Sequence, residues 1–345
     1  MSYRVIQCYT GVVGSEVIRL STVDPRIDVV GAYVHHADKE GRDIGELAGV
    51  GPLGVAATRD LDSLLAAGAD CAVWAGPRDD EAVSRILRAG VNVYSLAGPY
   101  FAPDPGLDAL QQACEDGGST LMGGGNIPGM ISEVVPLFLS GYAGRIEQVR
   151  MWQRNHVPRQ PSAENLAGGC GFGLPCDPSD ALDARGRGWG RALRQSAEIV
   201  AAGLGVTLDD YGMSAAEYAP APEDLFLAES GLAISKGTAA GVHWQFTGST
   251  GGRPFYQMNV EMTVALGLGS GWRATDDEPN WRIEIDGSPE LITEITMPDP
   301  AGSAILLLNA ARAVNAVPRL VEAPVGCRTV LDMPAPTGSA AGRGR

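Results

Sequence analysis

The sequence is short of positive charge and of cysteine, and both shortages narrow the classes of protein to consider. Its 345 residues include 26 Lys and Arg against 41 Asp and Glu, which gives a net charge of -15. Such a chain would repel a polyanion, so nucleic-acid binding is disfavoured as a main role. The six cysteines are scattered and none forms C-x-x-C. We therefore expect reduced thiols and no bound metal.

Targeting and membrane signals are also missing from the sequence. The start, MSYRVIQCYTG, has no basic segment followed by a long apolar one. No run approaches the roughly 20 apolar residues that a membrane helix needs. We predict a cytoplasmic protein that binds no membrane. Because 45% of its residues are apolar, we also expect the protein to bury a substantial core.

Residues 1–145 alternate short apolar segments with helical patterns. Examples are YRVIQCY followed by GSEVIRLSTV, and DCAVWAG followed by RDDEAVSRILRAG. This alternation predicts an α/β fold, a Rossmann-type doubly wound parallel sheet with helices on both faces. In such sheets, ligands bind beyond the carboxyl ends of the strands.

The pattern changes at residue 146. Strand-like stretches joined by glycine-bearing turns predict an α+β substrate domain with a largely antiparallel sheet over residues 146–302. A late helix, AGSAILLLNAARAVNAVPRLVEAP, is expected to end at Pro318 and to complete the first domain with residues 303–330. Residues 334–345 have the composition of a disordered tail.

The first turn resembles the phosphate-binding start of a dinucleotide domain, although Tyr9 stands where G-x-G-x-x-G has its first glycine. A strand-to-helix turn presents backbone N–H groups and a helix N-terminus to a pyrophosphate. We predict that this site consists of Thr10, Gly11, Val12, Val13 and Gly14. The alternative is a purely structural strand-to-helix turn.

The end of the second strand bears on the choice of cofactor. NAD-binding proteins place Asp or Glu there to bind the ribose 2′-hydroxyl. In this sequence His35 and His36 occupy the position, and Lys39 and Arg42 follow. Because these groups suit a 2′-phosphate, NADP(H) is predicted in preference to NAD(H). The alternative is that both cations are solvated and that Asp38 binds the ribose.

Four segments together resemble proteins with a dihydrodipicolinate reductase-like N-terminal domain. The segments are VIQCYTGVVGSEVIRL, VVGAYVHHADKEGRDIGEL, GSTLMGGGNIPGMISE and ARAVNAVPRLVEAPVG. The most similar branch contains 2,4-diaminopentanoate dehydrogenase and the native NAD(P)-dependent amine dehydrogenases. The resemblance implies a Rossmann domain, an α+β substrate and dimerisation domain, hydride transfer from NAD(P)H at C=N bonds, and a homodimer.

Two departures from the family separate this chain from its relatives. Amine dehydrogenases have a glutamate in an E-L-x-Y-P-like stretch that meets the substrate amine, and here Pro99 stands in that place, in GPYFAP. Dihydrodipicolinate reductases have an H-H-x-x-K pattern, which Trp152, Gln153 and His156 replace. The resemblance therefore implies neither lysine biosynthesis nor an unchanged amine anchor.

Hydride transfer requires a proton donor near the reacting atom. The candidate donors are His156 and Tyr100, with a surface histidine and a packed aromatic ring as the alternatives. The predicted substrate pocket consists of Pro99, Tyr100, Trp152 and Phe172. Further predicted cofactor contacts are Ala75, Gly76, Ala97, Asn126 and Asn315. For the two asparagines, a helix N-cap and a helix surface position are the alternatives.

The sequence thus predicts an NADP-dependent oxidoreductase for a small imine, amine or carbonyl compound, with reduction preferred. An iminium ion already carries its proton, which favours reduction where the family glutamate is missing. The alternative is a redox-sensing or partner-binding protein that binds NADP(H) without turnover.

Overall fold

The computed structural model describes residues 2–98, 106–176, 180–298 and 304–339. The chain divides into two compact units, Met1–Met130 with Ile305–Arg345 and Ile131–Ala304. The predicted boundary at residue 145 lies later than this division. The difference arises because the helix Val135–Ser140 packs on elements of the second unit.

In the described residues, the first unit contains a seven-stranded parallel sheet with the order β15-β6-β5-β4-β1-β2-β3. This arrangement confirms the predicted doubly wound sheet. The strands are β1 (Tyr3–Cys8), β2 (Ile27–Tyr33), β3 (Ala57–Thr58), β4 (Cys71–Trp74), β5 (Asn92–Ser95), β6 (Thr120–Gly123) and β15 (Gly326–Arg328).

Helices cover both faces of the parallel sheet. Because successive residues of a strand point to opposite sides, neighbouring residues of β1 pack in different cores. Ile6 packs in a core with the helices that follow β3, β4 and β5, whereas Val5 packs in another core with the first and last helices. The helices are α1 (Val12–Ser21), α2 (Ile44–Ala48), α3 (Leu61–Ala66), α4 (Asp80–Arg88), α5 (Leu107–Gly117) and α8 (Ala304–Val321).

The last helix, α8, differs from the sequence prediction in two respects. It continues through Pro318 to Val321, because Val317 and Leu320 are buried on the sheet and hold the final turn. By length and composition α8 could also span a membrane. We did not predict this, because Asn309, Arg312 and Asn315 interrupt its apolar run. One face of α8 is a stripe that packs in the core of the first unit.

The second unit contains a six-stranded sheet with the order β14-β13-β7-β12-β11-β8 in its described part. Its pairs are antiparallel except for β7 with β12, so the predicted largely antiparallel sheet is confirmed. The strands are β7 (Arg145–His156), β8 (Asp210–Pro220), β11 (Ala239–Thr250), β12 (Arg253–Thr263), β13 (Trp281–Ser288) and β14 (Leu291–Ile295), with a separate pair β9 (Leu225–Leu227) and β10 (Leu232–Ile234).

Two helices of the second unit are α6 (Val135–Ser140) and α7 (Asp180–Gly203). Glycines allow α7 to lie close to its sheet. A Cβ on Gly186 would lie 2.7 Å from the Trp244 ring, and one on Gly190 would lie 2.9 Å from the Phe246 ring. These two aromatic residues therefore mark the face of the sheet that α7 covers.

We expect Gly186→Ala to lower the free energy of unfolding by roughly 1–3 kcal/mol, because the added methyl group overpacks the contact with Trp244. Gly188→Ala is the matched control in the same helix. Its Cβ would meet no described atom closer than 3.8 Å. It should raise stability by up to about 1 kcal/mol through helix propensity. Chemical denaturation measures both changes, and equal stability of the two variants would contradict the packing argument.

Candidate functional site

Tyr9 occupies the backbone conformation that normally belongs to the first glycine of the turn. Its φ of +65° is the one positive value at a non-glycine position in the described part of the chain. A left-handed residue costs roughly 1–2 kcal/mol. Edge-to-face contacts of the Tyr9 ring with Trp74 at 5.2 Å and Tyr33 at 5.9 Å offset this cost, since such pairs contribute about 0.5–1.5 kcal/mol each. The turn therefore forms without its glycine.

Gly14 allows α1 to start directly on the turn. A Cβ on Gly14 would lie 2.0 Å from the backbone oxygen of Tyr9 and 2.9 Å from Gln7 Nε2. The Gln7 amide holds the same corner, because its Nε2 donates to the backbone oxygens of Cys8 and Tyr9. The close approach of helix and strand therefore depends on a residue without a side chain at position 14.

Gly11 caps α1 and leaves the helix N-terminus accessible. Among the described residues, no heavy atom lies within 4 Å of the position where a Gly11 Cβ would stand. No side chain caps α1, and its first turn, which is fully described, contains no acidic residue. Thr10 is buried, whereas Val12 is exposed and Val13 is half-buried. The backbone N–H groups at this end of α1 thus suit an anionic group such as a pyrophosphate.

Lys39 forms hydrogen bonds with Thr10, in the turn between β1 and α1. It follows β2 in a short 3₁₀ turn, Ala37–Lys39, and its Nζ donates to Thr10 O at 2.8 Å and Thr10 Oγ1 at 3.2 Å. Lys39 was predicted to lie beside a 2′-phosphate. The structure instead brings its positive charge to the turn at Thr10, because the 3₁₀ turn folds back toward residue 10.

The remaining residues after β2 form an exposed surface of mixed charge, in which Arg42 is accompanied by Asp38 and Glu40. His35, His36 and Arg42 are exposed, as is Asp38. The nearby carboxylate of Asp43 has another role, because it accepts N–H groups from four residues of its loop, namely Gly45, Glu46, Leu53 and Gly54. These bonds, led by the one from Leu53, lower the pKa of Asp43.

The other predicted cofactor residues of the first unit follow the carboxyl ends of β4, β5 and β6. Ala75 N–H donates to Cys8 O, and the Tyr9 ring covers Gly76. Ala97 N–H donates to Ser95 Oγ at 3.1 Å. Because all these strands are parallel, the residues share one edge of the sheet with the turn at Gly11.

Asn126, which follows β6, offers an accepting group at this edge. It is 6% exposed, and its Oδ1 has no hydrogen-bond partner among the described residues. Its backbone N–H donates to Asn309 Oδ1 at 2.7 Å, which fixes the position of the loop. A buried amide oxygen without a partner suits a ligand that brings an N–H donor.

Asn315 was predicted to contact the cofactor, and the structure contradicts this. Its Oδ1 accepts from Arg26 Nη2 at 2.8 Å, and Arg26 directly precedes β2 at the amino end of the strands. Asn309, six residues earlier on α8, instead lies at the carboxyl edge, where its Oδ1 accepts from the Asn126 N–H. A helix that connects parallel strands runs against them, so its N-terminal part lies at their carboxyl edge. That rule could have identified Asn309 from the sequence.

On β7 in the second unit, Trp152, Arg154 and His156 alternate with buried residues and share one face. Trp152 pairs with Asn259, and Asn259 pairs with Gln245. These residues therefore point away from the face that α7 covers. Together with Glu261 and Arg282, Trp152, Arg154 and Asn259 line a cavity of about 320 Å³.

His156 is held by a carboxylate at the end of β7. Its Nδ1 lies 2.9 Å from Asp276 Oδ1, and its side chain is 15% exposed. The neighbouring Arg154 binds Glu261 at 3.1 Å and Glu278 at 2.8 Å. An imidazole oriented by a carboxylate is an arrangement that suits proton transfer.

Phe172 was predicted to share a pocket with Trp152, and the structure separates them. Phe172 is buried next to Gly171, whose Cβ would touch Leu182 and Arg185 of α7. The segment before it is fastened to α7, since Arg185 donates to Gly168 O. The backbone next to Phe172 therefore lies beside α7, whereas Trp152 lies on the opposite sheet face, and Phe172 is not among the described residues that line the cavity at Trp152. Pro99 and Tyr100 lie outside the described residues.

One buried carboxylate, that of Glu133, was not predicted from the sequence. Glu133, in the π-helical segment Met130–Val134, is 1% exposed. Its Oε1 accepts from Ser196 Oγ at 2.9 Å and Gln195 Nε2 at 3.3 Å, both on α7. The sequence MISEVV gives no indication of this role, because only the packing of the π-helical segment on α7 brings the donors together.

Comparisons with known proteins agree with this architecture. Residues 5–74 match the family model of the dihydrodipicolinate reductase N-terminus, and residues 190–343 match that of the 2,4-diaminopentanoate dehydrogenase C-terminal domain. The chain is 28% identical to an amine dehydrogenase of Streptomyces virginiae, over 94% of each protein. It is 41% identical to a 4-hydroxy-tetrahydrodipicolinate reductase of Synechococcus elongatus over 61 residues, which are 18% of this chain and 22% of that protein.

Among solved structures, an amine dehydrogenase of Mycobacterium smegmatis has the same fold, with a TM-score of 0.78, 23% identity and coverage of 98% of both chains. An oxidoreductase of Agrobacterium radiobacter aligns with a TM-score of 0.55 at 13% identity, over 94% of this chain and 90% of that one. The resemblance to the amine dehydrogenase branch is confirmed, and the protein is an NAD(P)-dependent oxidoreductase.

Two glycine variants separate binding from folding in the turn. Gly11→Ala should leave the free energy of unfolding within about 0.5 kcal/mol of wild type, because its φ of -74° and ψ of -167° suit alanine and the space is open. It should nonetheless weaken dinucleotide binding about tenfold. The added methyl group would occupy the anion cradle, which is the space beside the backbone N–H groups of residues 11–14 where the pyrophosphate is predicted to bind. Gly14→Ala should destabilise the fold by roughly 1–3 kcal/mol. Calorimetric titration and thermal unfolding measure these effects, and undiminished binding by Gly11→Ala would contradict the assigned cradle.

Proposed function

We propose that the protein transfers hydride between NADP(H) and a small imine, amine or carbonyl compound, with reduction preferred, and that it works as a homodimer. The observation that carries the proposal is the accessible N-terminus of α1 at Gly11, beside cationic residues after β2. The similarity to an amine dehydrogenase over 94% of the chain supports the substrate class. The homodimer is what the family resemblance implies.

The preference for NADP over NAD follows from the charges near the end of β2. His35, His36 and Arg42 are exposed within the nine residues that follow β2, and a 2′-phosphate is favoured by such donors. Asp43 is occupied by the backbone of its own loop. Asp38 and Glu40 are the exposed carboxylates of this segment that could accept the 2′-hydroxyl of NAD, and their neighbours in sequence include the donors His36, Lys39 and Arg42.

The chain would hold the nicotinamide end through the carboxyl ends of β5 and β6. When bound, the nicotinamide supplies or accepts the hydride. Asn126 Oδ1 is buried and can accept an N–H of the carboxamide group. Ala97 has no long side chain and leaves the ring accessible. These contacts would orient the ring, and the anion cradle at Gly11 would fix the other half of the cofactor.

Reduction is preferred because this chain has Pro99 where amine dehydrogenases have glutamate. Without that carboxylate, an amine substrate loses its ionic anchor, whereas an iminium ion or a carbonyl compound is less affected. A carbonyl substrate needs a proton at its oxygen. We propose that His156 supplies it, because Asp276 fixes the Nδ1 side of its ring and leaves Nε2 as the donating atom.

Turnover assays test the proposed function directly. Purified protein should oxidise NADPH in the presence of at least one ketone, imine or enone from a broad panel, and should use NADH less well. Binding of NADPH with no oxidation by any member of the panel would overturn the enzymatic proposal and favour an NADP(H)-binding sensor. Oxidation of amines with NADP⁺ as the faster direction would overturn the preference for reduction.

His156→Asn should lower the turnover number for a carbonyl substrate by about 100-fold, since general acid catalysis contributes roughly 10²–10⁴-fold. The dissociation constant for NADPH should not change. Ser214→Ala is the control, because the exposed Ser214 lies on β8, at the far edge of the same sheet, and its Oγ lies 2.8 Å from Thr247 Oγ1. Steady-state kinetics and calorimetry measure the two effects. Equal turnover by both variants would remove His156 as the donor.

A further inference from the structure

The ring of Tyr9 lies at the cofactor edge of the first unit and has a defined environment. One face covers Gly76, where a Cβ would lie 2.3 Å from two ring carbons. Trp74 and Tyr33 meet the ring at interplanar angles of 72° and 82°. These contacts fix the ring between the ends of β2 and β4, directly beside the anion cradle at Gly11.

The Tyr9 ring also lies close to the ring of His35. The two rings are close to parallel, with an interplanar angle of 18° and a centroid separation of 6.5 Å. This separation is near the upper end of the range for paired aromatic rings, about 4.5–7 Å. His35 is exposed, so one wall of this arrangement is open to a ligand. His36 meets His35 edge-on at 5.5 Å and lies on the solvent side.

We propose that Tyr9 and His35 form an aromatic slot that binds the purine base of the dinucleotide, with Tyr9 as its fixed wall. The inference rests on the proposed function, because it concerns the same cofactor site. A planar base gains stacking energy on an aromatic ring without needing a specific hydrogen-bond pattern. The residue that replaces the expected glycine thus has a binding role of its own.

Charge and rigidity both suit this role for Tyr9. Partial burial raises the pKa of its phenol, so the ring stays neutral beside the phosphates at physiological pH. The Tyr9 ring contacts Gly76, Trp74 and Tyr33 before any ligand binds. A stacking base therefore does not have to immobilise this ring. A glycine at position 9 would remove the ring that covers Gly76 and leave the base with His35 alone.

The test uses the two halves of the cofactor as separate probes. Adenosine 2′,5′-bisphosphate contains the purine, and reduced nicotinamide mononucleotide does not. Tyr9→Leu keeps an apolar side chain and should weaken adenosine 2′,5′-bisphosphate binding about tenfold by calorimetry. Binding of the mononucleotide should not change. Tyr9→Phe is the matched control and should bind both probes as the wild type does.

A second readout does not depend on affinity. In NMR spectra of adenosine 2′,5′-bisphosphate with the wild type, stacking on Tyr9 should shift the adenine H2 and H8 resonances upfield, and Tyr9→Leu should abolish the shift. Should Tyr9→Leu fold poorly, His35→Leu, at an exposed position, should reduce the binding of 5′-AMP severalfold and leave the mononucleotide unaffected. Because 5′-AMP carries no 2′-phosphate, this loss cannot come from the 2′-phosphate contact proposed for His35.

Three results would overturn the slot. The first is equal affinity of wild type and Tyr9→Leu for adenosine 2′,5′-bisphosphate. The second is an equal loss of affinity for both probes in Tyr9→Leu, which would show that Tyr9 supports the fold of the site and does not contact the base. The third is an unshifted adenine spectrum. Failure of the proposed function is distinguishable, because it appears in the turnover assay as binding of NADPH without oxidation, whereas failure of the slot appears in the binding of the purine probe.

Discussion

The contact between Gly14 and the backbone oxygen of Tyr9 is the constraint on which the rest of the site depends. Only three residues separate β1 from α1, and this close approach leaves no room for a Cβ at Gly14. The N-terminus of α1 is accessible at Gly11. That position is where we propose that an anion binds, and Lys39 adds positive charge through Thr10. The left-handed backbone at Tyr9 is the local cost of this tight turn, and the packing of its ring offsets that cost.

The sequence predicted those parts of the molecule that periodicity and turn chemistry determine. Alternating apolar segments predicted the parallel sheet, and the strand, turn and helix around Gly11 and Gly14 were predicted in the right places. The binding roles of Gly11 and Asn126 stay predictions. Asn126 lies three residues after β6, at the edge where a parallel sheet collects its ligand contacts. The short strands β3 and β15 were missed, since two or three residues carry no period of their own.

Other residues could not be assigned from sequence, because their roles depend on packing between distant segments. Phe172 and Trp152 are both aromatic and close in sequence, yet the backbone next to Phe172 lies beside α7 and Trp152 lies on the opposite face of the sheet. Lys39 was predicted to meet a 2′-phosphate, and its contact with Thr10 depends on the 3₁₀ turn that follows β2. The buried Glu133 depends on donors from α7, which lie about sixty residues later in the chain.

Calorimetric titration of the wild-type protein with NADPH, NADP⁺, NADH and NAD⁺ tests the central claim, that the turn from Tyr9 to Gly14 binds a dinucleotide despite the missing glycine. The account predicts one-to-one binding, with the phosphorylated cofactors binding more tightly than their unphosphorylated counterparts. Absence of binding heat with all four, in buffers of different ionisation enthalpy, would contradict it.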